Sequence, residues 1–174
     1  MTEGPDSTLS TAARMERAGS TATLYLSRPP LNILDLEMIG RLSQLLDEIA
    51  DDDSIHAVVL RGEGAKAFSA GVSIKDHTPD KVEEMLTGFH DVVRKLVALD
   101  PVTVAAVDGH CLGGGMELAL ACTFRLATRN AKMGLPEIKL GVIPGYGGTQ
   151  RLPRLIGEGR ALEMIMTART LGAE

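Results

Sequence analysis

The fold is decided by Val102-Thr103-Val104-Ala105-Ala106-Val107-Asp108-Gly109-His110-Cys111-Leu112-Gly113-Gly114-Gly115-Met116-Glu117. An apolar strand over Val102–Val107 leads through the turn Asp108–Gly109 to three consecutive glycines, and these open a helix predicted from about Gly113 to Cys122. A short strand at Phe124–Ala127 follows, which makes a β-α-β-like run. Such a run implies a largely parallel sheet with helices packed on it. Bare amides at the mouth of a helix have no partner within it, and the helix dipole points the same way, so this mouth suits a negative oxygen.

Working toward the amino terminus, Thr21–Ser27 alternates polar and apolar residues as a half-buried strand does, and Arg28-Pro29-Pro30 ends it. Asp35 is placed to cap an amphipathic helix whose apolar face is Met38, Leu42, Leu45, Leu46 and Ile49. Asp51-Asp52-Asp53 closes that helix as a solvated turn. His56–Leu60 predicts a further strand, followed by a loop holding Gly62, Gly64 and Gly71. A second helix is expected from about Pro79 to Leu99, with a stripe of Val82, Met85, Leu86, Phe89, Val93, Leu96 and Val97. Met1 to about Ala18 is rich in Ser, Thr, Gly and Ala without an apolar period. It predicts a flexible leader over residues 1–18, ahead of one domain spanning 19–174.

Toward the carboxyl terminus, Leu135-Pro136-Glu137 precedes a glycine-rich turn from Gly141 to Gly148, and Gly157 to Arg169 predicts one more helix. Glu117 lies in a helix that is otherwise nearly all apolar. A carboxylate there is expected to be buried, which is costly unless the group is partnered or used. Glu137 has the apolar neighbours Met133, Leu135, Ile138 and Leu140, so desolvation is expected to raise its pKa. An amide-lined helix mouth with two protonatable carboxyls is equipment for making a carbonyl enolate-like, or for adding water across a conjugated double bond.

Composition narrows the partners. The 174 residues are 44% hydrophobic with a net charge of −5, enough for one good core and without a basic cluster for nucleic acid. No apolar run reaches the roughly 18 residues that span a bilayer, and no signal core opens the chain. Cys111 and Cys122 lack metal-ligand spacing and read as core thiols, which fits a reducing cytoplasm. Gly62-x-Gly64-x-x-Ala67 follows a strand as a dinucleotide fingerprint does, but Gly71 interrupts the helix that should open there. Ala67-Phe68-Ser69-Ala70-Gly71 lacks the first glycine of a nucleophile elbow. No metal constellation can be assembled.

Five segments, in order, resemble the crotonase, or enoyl-CoA hydratase/isomerase, superfamily. They are Arg28-Pro29-Pro30-Leu31-Asn32, Ala67-Phe68-Ser69-Ala70-Gly71-Val72, Ala105-Ala106-Val107-Asp108-Gly109, Gly113 through Cys122, and Leu135-Pro136-Glu137 through Leu152. The resemblance implies an α/β spiral core of ββα turns. It also implies an oxyanion hole made by the amides of Val72 and Gly114, and catalytic carboxylates at Glu117 and Glu137. Leu31, Ala70, Gly71, Ser73, Ile74 and Gly113 would contact an acyl-CoA thioester entering along Ala67–Ile74. Coenzyme A would be part of the substrate, with no separate cofactor and no metal.

Retention of both glutamates favours water addition over double-bond isomerisation. Those two activities, and a catalytically silent binding or assembly module, are the readings the resemblance leaves open. Pro30–Asp35 and Asp76–Val82 resemble the cyclohexa-1,5-diene-1-carbonyl-CoA hydratase branch. Ser73 departs from the Asp that many hydratases carry there. The resemblance further implies C-terminal helices beyond Glu174 that complete the acyl pocket, and a homotrimer or hexamer in the full-length form.

Overall fold

The computed structural model describes residues 12–174. Its first sheet has the order β1-β2-β3-β5-β7, formed by Ala13–Ala18, Thr21–Leu26, Ala57–Gly62, Val102–Val107 and Phe124–Ala127. Only β1 is antiparallel to its neighbour; β2, β3, β5 and β7 run parallel. A second sheet is built from β4 (Ala67–Ser69), β6 (His110–Leu112), β8 (Lys132–Gly134) and β9 (Thr170–Leu171). Each spiral turn thus sends one strand to the large sheet and the next to the small one. Ala67–Ser69 follows β3, His110–Leu112 follows β5, and Lys132–Gly134 follows β7.

The three parallel connections of the large sheet need crossovers, and three helices supply them, the first two amphipathic. Helix α1 spans Leu36–Ala50, with Asp35 Oδ1 accepting from the Met38 amide at 2.9 Å. Its predicted face is buried in full, with Ile39 added. Helix α2, Val82–Ala98, lies against α1 and buries Met85, Phe89, Val92, Val93 and Leu96. Val97, placed in the expected stripe, is exposed, because at this turn the stripe has rotated off the α1 contact. Helix α3, Gly114–Ala121, is buried along its whole length, which explains why its sequence shows almost no polar face.

Three expectations change. Residues Ala13–Ala18, assigned to the flexible leader, form β1 and pair residue by residue with β2. Their burial falls off along the strand, so no clean alternation marks them. Residues 1–11 of that leader lie outside the described residues. The second sheet was not anticipated, since strands of two or three residues are too short to carry a period. Helix α4, Gly148–Ile156, was not anticipated either, because Gly147, Gly148 and Pro153 all read as breakers; Pro153 is nonetheless accommodated inside it. The last helix, α5, spans Glu158–Thr167, within the predicted Gly157–Arg169.

No helix among the described residues is long and apolar enough to cross a membrane. Within the same residues no three His, Cys, Asp or Glu side chains cluster as a metal site would require.

Candidate active site

The site lies where β4, the head of α3 and the segment after β8 converge. Asn32, fully buried with φ +49°, holds the entry. Its Nδ2 donates to the carbonyls of Glu63 (3.0 Å) and Ala67 (2.8 Å), and its Oδ1 accepts from the Arg28 amide. The next turn is laced to residues 31–34. Ala70 N donates to Leu31 O, Leu34 N to Gly71 O, and Ser73 N to Leu34 O, at 2.9–3.0 Å. These bonds leave the Val72 amide between them without a backbone acceptor among the described residues.

Gly71 has φ +108°, and a Cβ there would stand 3.1 Å from the Leu112 carbonyl. The glycine is required twice, by conformation and by closeness. Gly114 is the first residue of α3, so its amide has no partner within the helix. A Cβ on Gly114 would lie 2.9 Å from Val72 Cγ1 and 3.5 Å from the Val72 nitrogen. The turn and the helix mouth are therefore in contact, with two uncommitted amides in adjacent backbone.

Glu117 is one turn into α3 and 1% exposed. Its Oε1 accepts from the amides of Tyr146 and Gly148, both at 2.8 Å, while Oε2 is buried with no partner among the described residues. Burial raises its pKa; the Gly148 and Tyr146 amides and the Arg151 charge pull the other way. Arg151 also reaches the Tyr146 carbonyl at 3.4 Å, so it braces the loop that grips Glu117.

Glu137 opens the 3-10 turn Glu137–Leu140 after Pro136. Its Oε1 faces Gly113, where a Cβ would be only 3.2 Å away, and its Oε2 is buried and unpartnered among the described residues. Desolvation, with a smaller contribution from the Glu117 charge, pushes its pKa to about 7. A carboxyl poised there can both give and take a proton at neutral pH.

Val72, Gly71, Gly113, Gly114, Glu117 and Glu137 are thus brought together. Leu31, Ala70 and Ser73 hold the turn through their backbones. Ile74 points outward and is 65% exposed. Sequence reasoning did not single out Tyr146, Gly148 or Arg151, which position Glu117. The signal was the Gly-Tyr-Gly-Gly run, whose close backbone approach was read only as a turn. Phe89 was assigned to the core stripe, yet its Cε1 lies 3.4 Å from a Cβ built on Gly114.

The profile of the enoyl-CoA hydratase/isomerase family matches residues 16–174. YngF of Bacillus subtilis is 45% identical over 156 residues, covering 87% of this chain and 60% of its own. The short-chain-enoyl-CoA hydratase of Clostridium acetobutylicum is 39% identical over 164 residues, covering 92% of this chain and 63% of its own. A crystal structure of an enoyl-CoA hydratase from Bacillus anthracis superposes with a TM-score of 0.90 at 37% identity, over 94% of this chain and 65% of that one. The chain thus spans a little under two thirds of the length of these relatives. Matched in sequence along nearly all of its described residues and in the spiral arrangement of its two sheets, this chain belongs to the enoyl-CoA hydratase/isomerase family.

Proposed function

We propose that the chain carries the reacting core of an acyl-CoA hydratase, which adds water reversibly across the α,β-double bond of an enoyl- or dienoyl-CoA thioester. The observation that supports this reading is the pair of buried carboxyls, Glu117 and Glu137, each keeping one oxygen free beside the uncommitted amides of Val72 and Gly114.

The chemistry follows from the environments. The amides of Val72 and Gly114 receive the thioester oxygen as it gains charge; one such donor is worth roughly 10²–10³ in rate. Glu117, gripped by two amides that favour its ionised form, takes a proton from water as the water oxygen bonds to the β-carbon. Glu137, with a pKa of about 7 and so substantially protonated at neutral pH, delivers a proton to the α-carbon. The product gains one water, and proton transfer from Glu117 back to Glu137 resets the pair. The addition of water involves no net oxidation or reduction, so the reaction calls for no redox cofactor.

Crotonyl-CoA and cyclohexa-1,5-diene-1-carbonyl-CoA are the substrates to test, the second on the resemblance of Pro30–Asp35 and Asp76–Val82. Glu117→Gln and Glu137→Gln are each expected to lower hydration by orders of magnitude with the fold intact. Full turnover in both variants removes the two-carboxyl mechanism. A product that does not gain the mass of water reassigns the site to double-bond isomerisation, and a protein that binds no CoA ester is a silent module. A homotrimer or hexamer is the proposed assembly of the full-length form, checked by sedimentation velocity.

A further inference from the structure

Glu117 Oε1 is gripped by two peptide groups, and each of them has a carbonyl at its other end. The Gly148 amide belongs to the 147–148 peptide, whose Gly147 carbonyl accepts from the Gln150 and Arg151 amides at 3.0 and 2.8 Å. Those are opening bonds of α4, so a helix orients that peptide. The Tyr146 amide belongs to the 145–146 peptide, which lies outside every helix and strand. No backbone amide among the described residues donates to the Gly145 carbonyl. A side chain takes that place: His90 Nε2, 55 residues away along the chain, stands 2.8 Å from it.

A carbonyl oxygen only accepts, so His90 Nε2 carries a proton and donates. The imidazole and the Glu117 carboxylate therefore hold one peptide group by its two ends, each at 2.8 Å. A donor on the carbonyl draws electron density toward oxygen and leaves the amide hydrogen more positive. Bonds chained in this way strengthen one another by about 10–30%. The same two bonds fix the peptide plane, because a rotation that swings the amide away from Glu117 breaks both. Helix α2 is shaped for this contact, with Leu86, Phe89 and His90 on one face at positions i, i+3 and i+4. Leu86 Cδ2 lies 3.8 Å from a Cβ built on Gly145. The Tyr146 ring stands edge-on to Phe89 with centroids 4.4 Å apart, and 5.5 Å from the ring of His90.

We propose that His90 is a positioning residue for Glu117, holding the 145–146 peptide by its carbonyl so that the Tyr146 amide stays on Glu117 Oε1. It does for that peptide what the first turn of α4 does for the 147–148 peptide. This inference rests on the reading of Glu117 as the group that takes a proton from water.

The test separates the work of Glu117 from that of Glu137 in the full-length protein. Hydration of crotonyl-CoA is measured across pH, beside exchange of the α-protons of butyryl-CoA with deuterated solvent, a reaction that needs the oxyanion amides and Glu137 but no reacting water. His90 is half-buried, so its replacement leaves the core in place. His90→Phe keeps a ring against Tyr146 and removes the donor. Its kcat for hydration is expected to fall roughly three- to tenfold, the worth of one hydrogen bond, with KM and α-proton exchange unchanged. The acidic limb of hydration is expected to move to higher pH, because a weaker grip favours the ionised carboxylate less. His90→Gln, which keeps a donor, is expected to restore both rate and limb; His90→Leu is the second donorless variant. Rate and limb unmoved in both donorless variants overturn the inference. So does an equal fall in hydration and exchange with the limb in place, which marks a structural role, and so does a Gln variant as impaired as the Phe variant. If Glu117→Gln abolishes hydration while His90→Phe leaves it whole, only this inference falls. A wild-type protein that hydrates no thioester removes the hydratase reading and this one with it.

Discussion

Gly113 and Glu137 face each other so closely that a methyl group on Gly113 would stand 3.2 Å from the Glu137 carboxylate oxygen. Gly113 also has φ +54°, a conformation that side chains rarely adopt. Gly113→Ala is therefore expected to lose about 1–3 kcal/mol of stability from backbone strain, and to displace the carboxyl as well. Chemical denaturation and the rate of α-proton exchange check the two effects separately.

The pH profile should report the shared protons of the carboxyl pair. The proposed mechanism needs the pair singly protonated, so the hydration rate is expected to be bell-shaped, with an alkaline limb set by Glu137 near pH 7. Haldane's relation requires dehydration to show the same limbs in kcat/KM. A rate that keeps rising well above pH 8 contradicts the role given to Glu137.

The same shift is a statement about stability. The folded pKa of Glu137, about 7, exceeds its ordinary value of 4.5, so the folded state binds the proton more tightly than the unfolded chain. Its penalty is absent below pH 4.5, grows as pH rises through that window, and is complete above pH 7. Glu137→Gln removes the titration. The melting temperature of the variant relative to wild type is expected to rise from pH 5 to pH 8 and then level off.

Two glycines give opposite outcomes. Gly40 is exposed in the middle of α1, and a Cβ there meets nothing within 4 Å. Gly40→Ala is expected to stabilise by about 0.5–1 kcal/mol through helix propensity. Gly115 presses on β4, with a Cβ only 2.5 Å from the Ser69 carbonyl. Gly115→Ala is expected to destabilise by roughly 1–3 kcal/mol through overpacking. Denaturation midpoints of the two variants decide it.

Cys111 and Cys122 are both buried and free. Burial pushes the Cys122 thiol up to about 12, and Cys111 rises for the same reason with the neighbouring Cys122 adding to it. Neither is expected to react with a disulfide reagent in the folded protein, and both should react on unfolding. Fast labelling under native conditions contradicts this placement.

What the sequence reveals depends on how far each signal reaches along the chain. The α1 face and its Asp35 cap were legible because a helix repeats its pattern over several turns. Glu117 was legible through contrast, as the one carboxylate in an apolar helix. The small sheet was not, because His110–Leu112 and Lys132–Gly134 acquire their meaning only by pairing with each other. The grip of Tyr146 and Gly148 on Glu117 spans 29 and 31 residues and is made by backbone amides. Such donors are carried by nearly every residue, so no side-chain pattern announces them.

The carboxylate at the heart of α3 is thus completed by chain that is made later. During synthesis the large sheet and helices α1 and α2 are made while Glu117 still lacks its two amide donors. On the proposed mechanism a nascent chain would stay chemically idle until residue 148 has left the ribosome. A protease nick between Glu137 and Tyr146 is expected to return the folded protein to that dormant condition.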